Sequence, residues 1–213
     1  MVMPMWDQAN IKLTGGPHGI PRPVVTQIQR DRLLRAMART VAEYGYQETT
    51  VRRLLGRAGL SRRTYYELFE DKEACFLAAY DEAIDHMLAL AAKGYEQGES
   101  PEQRIEYGLH AFLQFCADEP DIARMCIVEV LAAGPTARAR RAETMERLAG
   151  LMEGALNELR GDERLSKLAA RGLIGGVHEL IYTPIDRGET EGLSDLAEQI
   201  VSSQIAPLVL LKT

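Results

Sequence analysis

Apolar positions recur every three to four residues along most of the chain, and no stretch alternates with a period of two. Leu33, Leu34, Met37, Val41 and Tyr44 fall on one stripe, with Arg32, Arg35 and Arg39 elsewhere on the same wheel. The pattern predicts a helix from about Thr26 to Tyr44, ended at Gly45. Val51, Leu54, Leu55 and Ala58 give a second helix of about two turns. Thr50 can cap its start, and Gly59 sits where a left-handed residue must end it, a conformation that only glycine takes without steric cost. Ser61 caps a third helix that turns Tyr65, Leu68 and Phe69 inward. A fourth helix starts at Asp71–Lys72. Phe76, Leu77, Tyr80, Ile84, Met87, Leu88 and Ala91 keep its spacing to about Lys93.

Glycine and proline punctuate the remainder into further helices. They are expected at about Glu102–Ala117, Asp121–Ala133, Thr136–Leu159, Arg164–Asp186 and Ser194–Leu211, with Pro207 bending or ending the last. Residues 1–24 carry glycine, proline and few clustered apolar positions, which predicts a flexible arm. No repeat of fixed period is present. The expected architecture is all-α, with nine helices.

Two short helices joined by a glycine turn, after a longer amphipathic one, have the organisation of a helix-turn-helix. Such a unit sets the N-terminal residues of its second helix into the DNA major groove. Arg62, Arg63, Thr64 and Tyr66 are the residues left outward there, and they suit phosphates and base edges. Charge changes the picture further. The chain as a whole is −6, which argues against a nucleic-acid partner, yet residues 22–72 hold eleven basic and six acidic side chains, a balance of +5. The chain after Lys72 therefore carries −11. A basic headpiece on an acidic body leaves only the headpiece to face a polyanion.

Other chemistry is thinly represented. The three cysteines, Cys75, Cys116 and Cys126, are odd in number and lack ligand spacing, so they read as buried free thiols in a reducing cytoplasm. The four histidines are scattered, and periodicity does not gather His110, Cys116 and Cys126 on one helix face, so no metal site is expected. No apolar run reaches a membrane span, and the N-terminus lacks the basic-then-apolar order of a signal peptide. No nucleotide loop and no acid–base pair on one face points to an enzyme or calls for a cofactor.

GY (45–46), TTV (49–51), AGLSRRTYYELFEDKEA (58–74) and FLAAY (76–80) together resemble the TetR family of bacterial transcriptional regulators. The resemblance covers about fifty residues, from about Arg30 to Tyr80; beyond them only helix count and acidity agree. It implies a homodimer of nine-helix subunits in which the first three helices bind DNA and the last two pair into a four-helix bundle. It implies further that Arg62, Arg63 and Thr64 sit at the major-groove edge, and that Tyr66 and Lys72 hold phosphates. Thr50 and Arg52 would anchor the second helix on the DNA backbone. Glu67 would accept from a cytosine amine or pair with Arg63.

On that basis residues 25–72 are expected to form the DNA-binding domain and 73–213 the ligand-binding and dimerisation domain. Glycine inside a helix costs up to about 1 kcal/mol, which close approach of another helix offsets. Gly172, Gly175 and Gly176, with Leu196 and Ile200, are therefore expected at the subunit interface. If the analogy extends to a pocket, Met87, Phe112, Phe115, Met125, Met145, Met152, His178 and Tyr182 could line it around a small, largely apolar ligand. The function implied is a cytoplasmic repressor that such a ligand releases from a palindromic operator. The competing reading is a helical small-molecule-binding or adaptor protein with the same fold and no specific operator.

Overall fold

The computed structural model describes Met5, Trp6, Ala9 and residues 21–160 and 166–207, which hold nine α-helices and no strand. The all-α expectation holds. The expected start of the eighth helix at Arg164 and the Leu208–Leu211 end of the last helix lie outside the described residues. The same is true of Lys12, His18 and most of the N-terminal arm. The chain divides into two compact units, Met1–Ala83 and Ile84–Thr213.

In the first unit, helix α1 spans Arg22–Glu48, α2 Val51–Ala58 and α3 Arg62–Leu68, and α4 begins at Lys72. Helix α1 starts four residues earlier than its apolar stripe suggests, because Pro23 sits in its first turn, where a missing N–H loses no bond. Ile28, Leu33, Leu34, Met37 and Val41 are buried as the stripe predicts, but Tyr44 is 43% exposed. Tyr46 takes the inward place instead. Gly45, at φ 77° and ψ 160°, breaks the helical path and rotates Tyr46 against Phe76, ring edge to face at 5.0 Å. The turn from α2 to α3 follows from local chemistry. Gly59 is left-handed at φ 65° and ψ 38°, and its amide donates to the Leu55 carbonyl. Ser61 then caps α3 by accepting from the Thr64 amide at 3.1 Å. Leu54, Tyr65 and Phe69 close the core beneath this turn. Of the N-terminal segment, Trp6 is buried and its indole N–H donates to Glu82 Oε2 at 3.1 Å, while Arg30 Nη2 holds Glu82 Oε1 at 2.5 Å.

Helix α4 (Lys72–Tyr95) continues into the second unit, where α5 spans Pro101–Asp118, α6 Pro120–Ile127, α7 Pro135–Arg160, α8 Lys167–Arg187 and α9 Leu196–Ile200. Helices α7 and α8 pack together, α6 lies on α5 and α8, and α9 lies on α5. Gly94 and Gly108 allow α4 and α5 to meet closely, since a Cβ at Gly94 would lie 2.4 Å from the Tyr107 carbonyl oxygen.

Two helices end differently from their patterns. The sixth stops at Ile127, and a 3₁₀ turn covers Glu129–Leu131. Glu129 is buried there and pairs with Arg124 at 3.5 Å. The ninth loses regular geometry after Ile200, where Val201–Ile205 forms a π-helical turn. The Ser202 and Ser203 hydroxyls both donate to the Gln199 carbonyl, at 3.1 and 2.6 Å, and so compete with the regular ladder. The helix expected over Arg164–Asp186 already contained Pro184, and α8 accommodates it. Pro184 lies in its last turns, and left-handed Gly188 closes the end.

Candidate nucleic-acid interface and body cleft

The outward side of the turn between α2 and α3 carries the residues singled out from sequence. Thr50 caps α2, its hydroxyl oxygen accepting from the Arg53 amide at 3.3 Å, and Arg52 beside it is exposed. Arg62, Arg63 and Tyr66 are exposed on α3, and Thr64 is half-buried with its hydroxyl 2.9 Å from that of Ser61. The Arg62 guanidinium stands 5.8 Å from the centre of the Tyr66 ring. Arg63 Nε donates to Glu67 Oε1 at 2.9 Å, one helical turn away. That pair is open to water, with the Arg63 side chain 89% exposed, so either partner exchanges it for another at little cost.

Neighbouring cations are engaged with their own unit. Arg53 donates to the Glu48 carbonyl at 2.6 Å and lies 4.2 Å over the Tyr44 ring, and Arg57 pairs with Glu43. Lys72 Nζ donates to the Tyr46 carbonyl at 2.9 Å and sits 4.1 Å over the Tyr46 ring. Burial lowers its pKa from the ordinary lysine value. An ammonium has three N–H donors, so this anchorage leaves two for another acceptor.

In the second unit the proposed pocket residues separate. Met87, Phe115 and Met125 are packed into the core, while Phe112, Met152 and Tyr182 are half-buried. The His86 ring lies tilted against Phe115 at 5.3 Å with its Nε2 buried and unpartnered, and burial lowers its pKa. Met145 and His178 fall beside a cleft of about 240 Å³ between α7 and α8, lined by Arg141, Ala142, Met145, Glu146, Arg171 and Ile174. Sequence reading missed Arg141, whose Nη2 meets His178 Nε2 at 3.1 Å. No spacing rule links positions on two helices that meet only in the fold.

Burial first, and the Arg141 charge second, bring the His178 pKa down from 6.5 to about 4. His178 is therefore neutral near pH 7 and accepts from Arg141 through Nε2. Between about pH 6.5 and about 4 the unfolded chain binds a proton that the folded chain does not, so stability falls as pH drops through this window. His178→Gln, which keeps an acceptor for Arg141, should flatten this part of the profile, read as urea midpoints across the window. An unchanged slope would assign it to other groups.

The residues assigned to a subunit interface divide as well. Gly172 and Gly175 are exposed on α8, with nothing within 4 Å of an added Cβ, whereas a Cβ at Gly176 would lie 3.3 Å from the Gln204 amide oxygen. Leu168 and Leu180 on the same helix are exposed. Leu196 is half-buried, whereas Ile200 is buried in the unit where α9 lies on α5. Cys75, Cys116 and Cys126 are buried and form no disulfide, and burial pushes Cys75 and Cys116 up to about 12. Among the described residues no cluster of His, Cys, Asp and Glu could hold a metal ion, and no helix is long and apolar enough to cross a membrane.

The profile of the bacterial regulatory proteins of the tetR family matches residues 33–79, the stretch that forms α2, α3 and their supports. Over 65 residues the chain is 40% identical to the HTH-type transcriptional repressor Rv1474c of Mycobacterium tuberculosis. That match spans 30% of this chain and about a third of the relative, 35% of its length. The HTH-type transcriptional repressor AcnR of Corynebacterium diphtheriae is 27% identical over 201 residues, covering 85% of this chain and 97% of AcnR. The headpiece is that of a TetR-family regulator. Two solved structures share the fold of this chain. FadR of Bacillus halodurans superposes with a TM-score of 0.73 at 17% identity, over 86% of this chain and 98% of that one. FadR of Bacillus subtilis, solved in complex with stearoyl-CoA, gives 0.72 at 18% identity over 80% and 95%. TetR-family regulators are DNA-binding proteins rather than enzymes, and the chain is a DNA-binding transcription regulator on this ground.

Proposed function

We propose that the protein is a cytoplasmic, homodimeric repressor that holds a palindromic operator through α3 and leaves it when a small ligand binds the body. The observation that carries this reading is the exposed Arg62–Arg63–Tyr66 surface at the start of a capped helix, on a headpiece of +5 in a chain of −6. Arg62, Arg63 and Thr64 read base edges. Thr50, Arg52, Tyr66 and Lys72 fix the phosphates, Lys72 through the donors that Tyr46 leaves over. Residues 25–72 are the DNA-binding domain and 73–213 the ligand-binding and dimerisation domain, preceded by an arm, residues 1–24, that Trp6 fastens to Glu82 and whose end enters α1 from Arg22. The exposed Gly172, Gly175, Leu168 and Leu180 face of α8 supports a second subunit there, since apolar side chains and bare glycine backbone gain by being covered. Helix α4 runs through the division between the two units, so a ligand that prefers one setting of α4 changes the spacing of paired headpieces. Headpieces that no longer match successive major grooves, about 34 Å apart, lose their joint grip.

Selection from random duplex DNA at moderate salt tests this reading. The expected product is an enriched palindrome with half-sites about one helical turn apart. A folded dimer that enriches nothing would move the assignment to an adaptor that keeps the fold without an operator.

A further inference from the structure

Arg141 is the one cation lining the α7–α8 cleft that has no carboxylate partner among the described residues. Arg171 is paired with Glu146 at 3.0 Å at the cleft's rim, and both are largely exposed. Arg141 instead meets the neutral imidazole of His178 at 3.1 Å, and its Nε is buried with no acceptor. A guanidinium donor removed from water and left without an acceptor is costly, and a charged donor more so than a neutral one. The imidazole orients the group through Nη2 but contributes no negative charge, so the positive charge stays uncompensated. Around it the cleft is short and mostly apolar, with Ala142, Met145 and Ile174 in the wall, and its volume of about 240 Å³ lies below the usual range for drug-sized ligands.

We infer that this cleft is the effector site and that it takes a small monocarboxylate, its anionic head on Arg141 and a short apolar chain along Met145 and Ile174. A carboxylate accepts two N–H donors from a guanidinium in one plane, and Nε together with the remaining Nη protons supplies them. A single unpaired guanidinium matches one negative charge. Glu146 lines the same cleft, and its negative charge opposes a doubly charged phosphate more than a singly charged carboxylate. This inference rests on the reading of the protein as a ligand-released repressor, and it sharpens the expectation of a small, largely apolar effector to an amphiphile with one charged head.

Calorimetric titration of the full-length dimer with sodium hexanoate, hexanamide and inorganic phosphate at matched ionic strength tests it, alongside anisotropy on the selected operator. Hexanoate should bind saturably and at least tenfold more tightly than hexanamide, and should weaken operator binding. Arg141→Met should lose hexanoate binding at least tenfold while keeping the dimer and the operator affinity. Should that variant fail to fold, the hexanoate-to-hexanamide ratio on the unaltered protein decides alone, because it reads the need for a negative head. Equal binding of acid and amide, binding that survives Arg141→Met, or binding of phosphate to the exclusion of hexanoate would each overturn the monocarboxylate site. Operator binding with no response to hexanoate would sink this inference and leave the regulator reading standing. Absence of any enriched duplex would remove the regulator reading, with the titration still judging the cleft by itself.

Discussion

Replacing Arg62 and Arg63 together with alanine should abolish the protein's preference for its operator over random duplex DNA while leaving the fold untouched. An arginine that makes two hydrogen bonds to guanine O6 and N7 is worth about 1–3 kcal/mol of discrimination, roughly tenfold to a hundredfold per good pair. Two such contacts in each of two subunits exceed any other effect expected on DNA binding. The stability side of the comparison is small. Both side chains are exposed, Arg63 gives up only its water-exposed pair with Glu67, and Arg62 only a ring contact at 5.8 Å. Exposed pairs of this kind contribute about 0–1 kcal/mol, so the melting temperature should hardly move. Anisotropy titrations on the selected palindrome and on a scrambled duplex, each at several salt concentrations, separate the possibilities. Loss of base reading lowers affinity for the palindrome alone. Loss of a phosphate contact lowers both and flattens the salt slope by about 0.9 per contact. A double variant with unchanged preference would show that recognition lies off the start of α3.

How much could be read before the fold was known followed the distance over which each signal acts. Thr50, Gly59 and Ser61 punctuate α2 and α3 through contacts three or four residues away, and the structure has each of them in the capping role that its residue type predicts. The inward set Leu54, Tyr65 and Phe69 was legible for the same reason, since periodicity alone assigns a face. Tyr44 was misplaced because the stripe was extended to the helix end, where Gly45 changes the backbone direction and turns Tyr46 inward instead. The last helix was expected to stay regular up to Pro207 because its apolar positions keep their spacing, while the disturbance comes earlier, from two serine hydroxyls on one carbonyl. The body was least legible. Met87, Phe115 and Met125 share the residue types of a ligand lining but fill the core, and composition does not separate the two. Arg141 and His178 lie on different helices, 37 positions apart, so only the packing of α7 on α8 brings them together.

Tyr65→Ala should destabilise the headpiece by about 3–5 kcal/mol, the range for deleting a large buried aromatic side chain. Tyr65 has no exposed surface, with the Phe69 ring 6.0 Å away and the Tyr66 ring edge-on at 5.3 Å. Its hydroxyl donates to the Asp71 carbonyl at 2.8 Å, and burial raises the phenol pKa, so it remains a donor throughout the working range. Asp71 in turn accepts from the Ala74 amide at 2.8 Å and so starts α4. One ring therefore holds the recognition helix on the core and fixes the turn into the next helix. A domain is stable by about 5–15 kcal/mol, so a loss of this size leaves a large fraction of molecules without an ordered α3. Tyr65→Phe keeps the ring and removes only the hydrogen bond, and should cost about 1 kcal/mol. Hydrogen exchange of the α3 amides together with urea midpoints distinguishes the two variants. The alanine form should lose α3 protection and operator binding together, and the phenylalanine form should keep both. Equal, small losses in the two variants would mean that α3 is held by its other contacts and that Tyr65 only fills space.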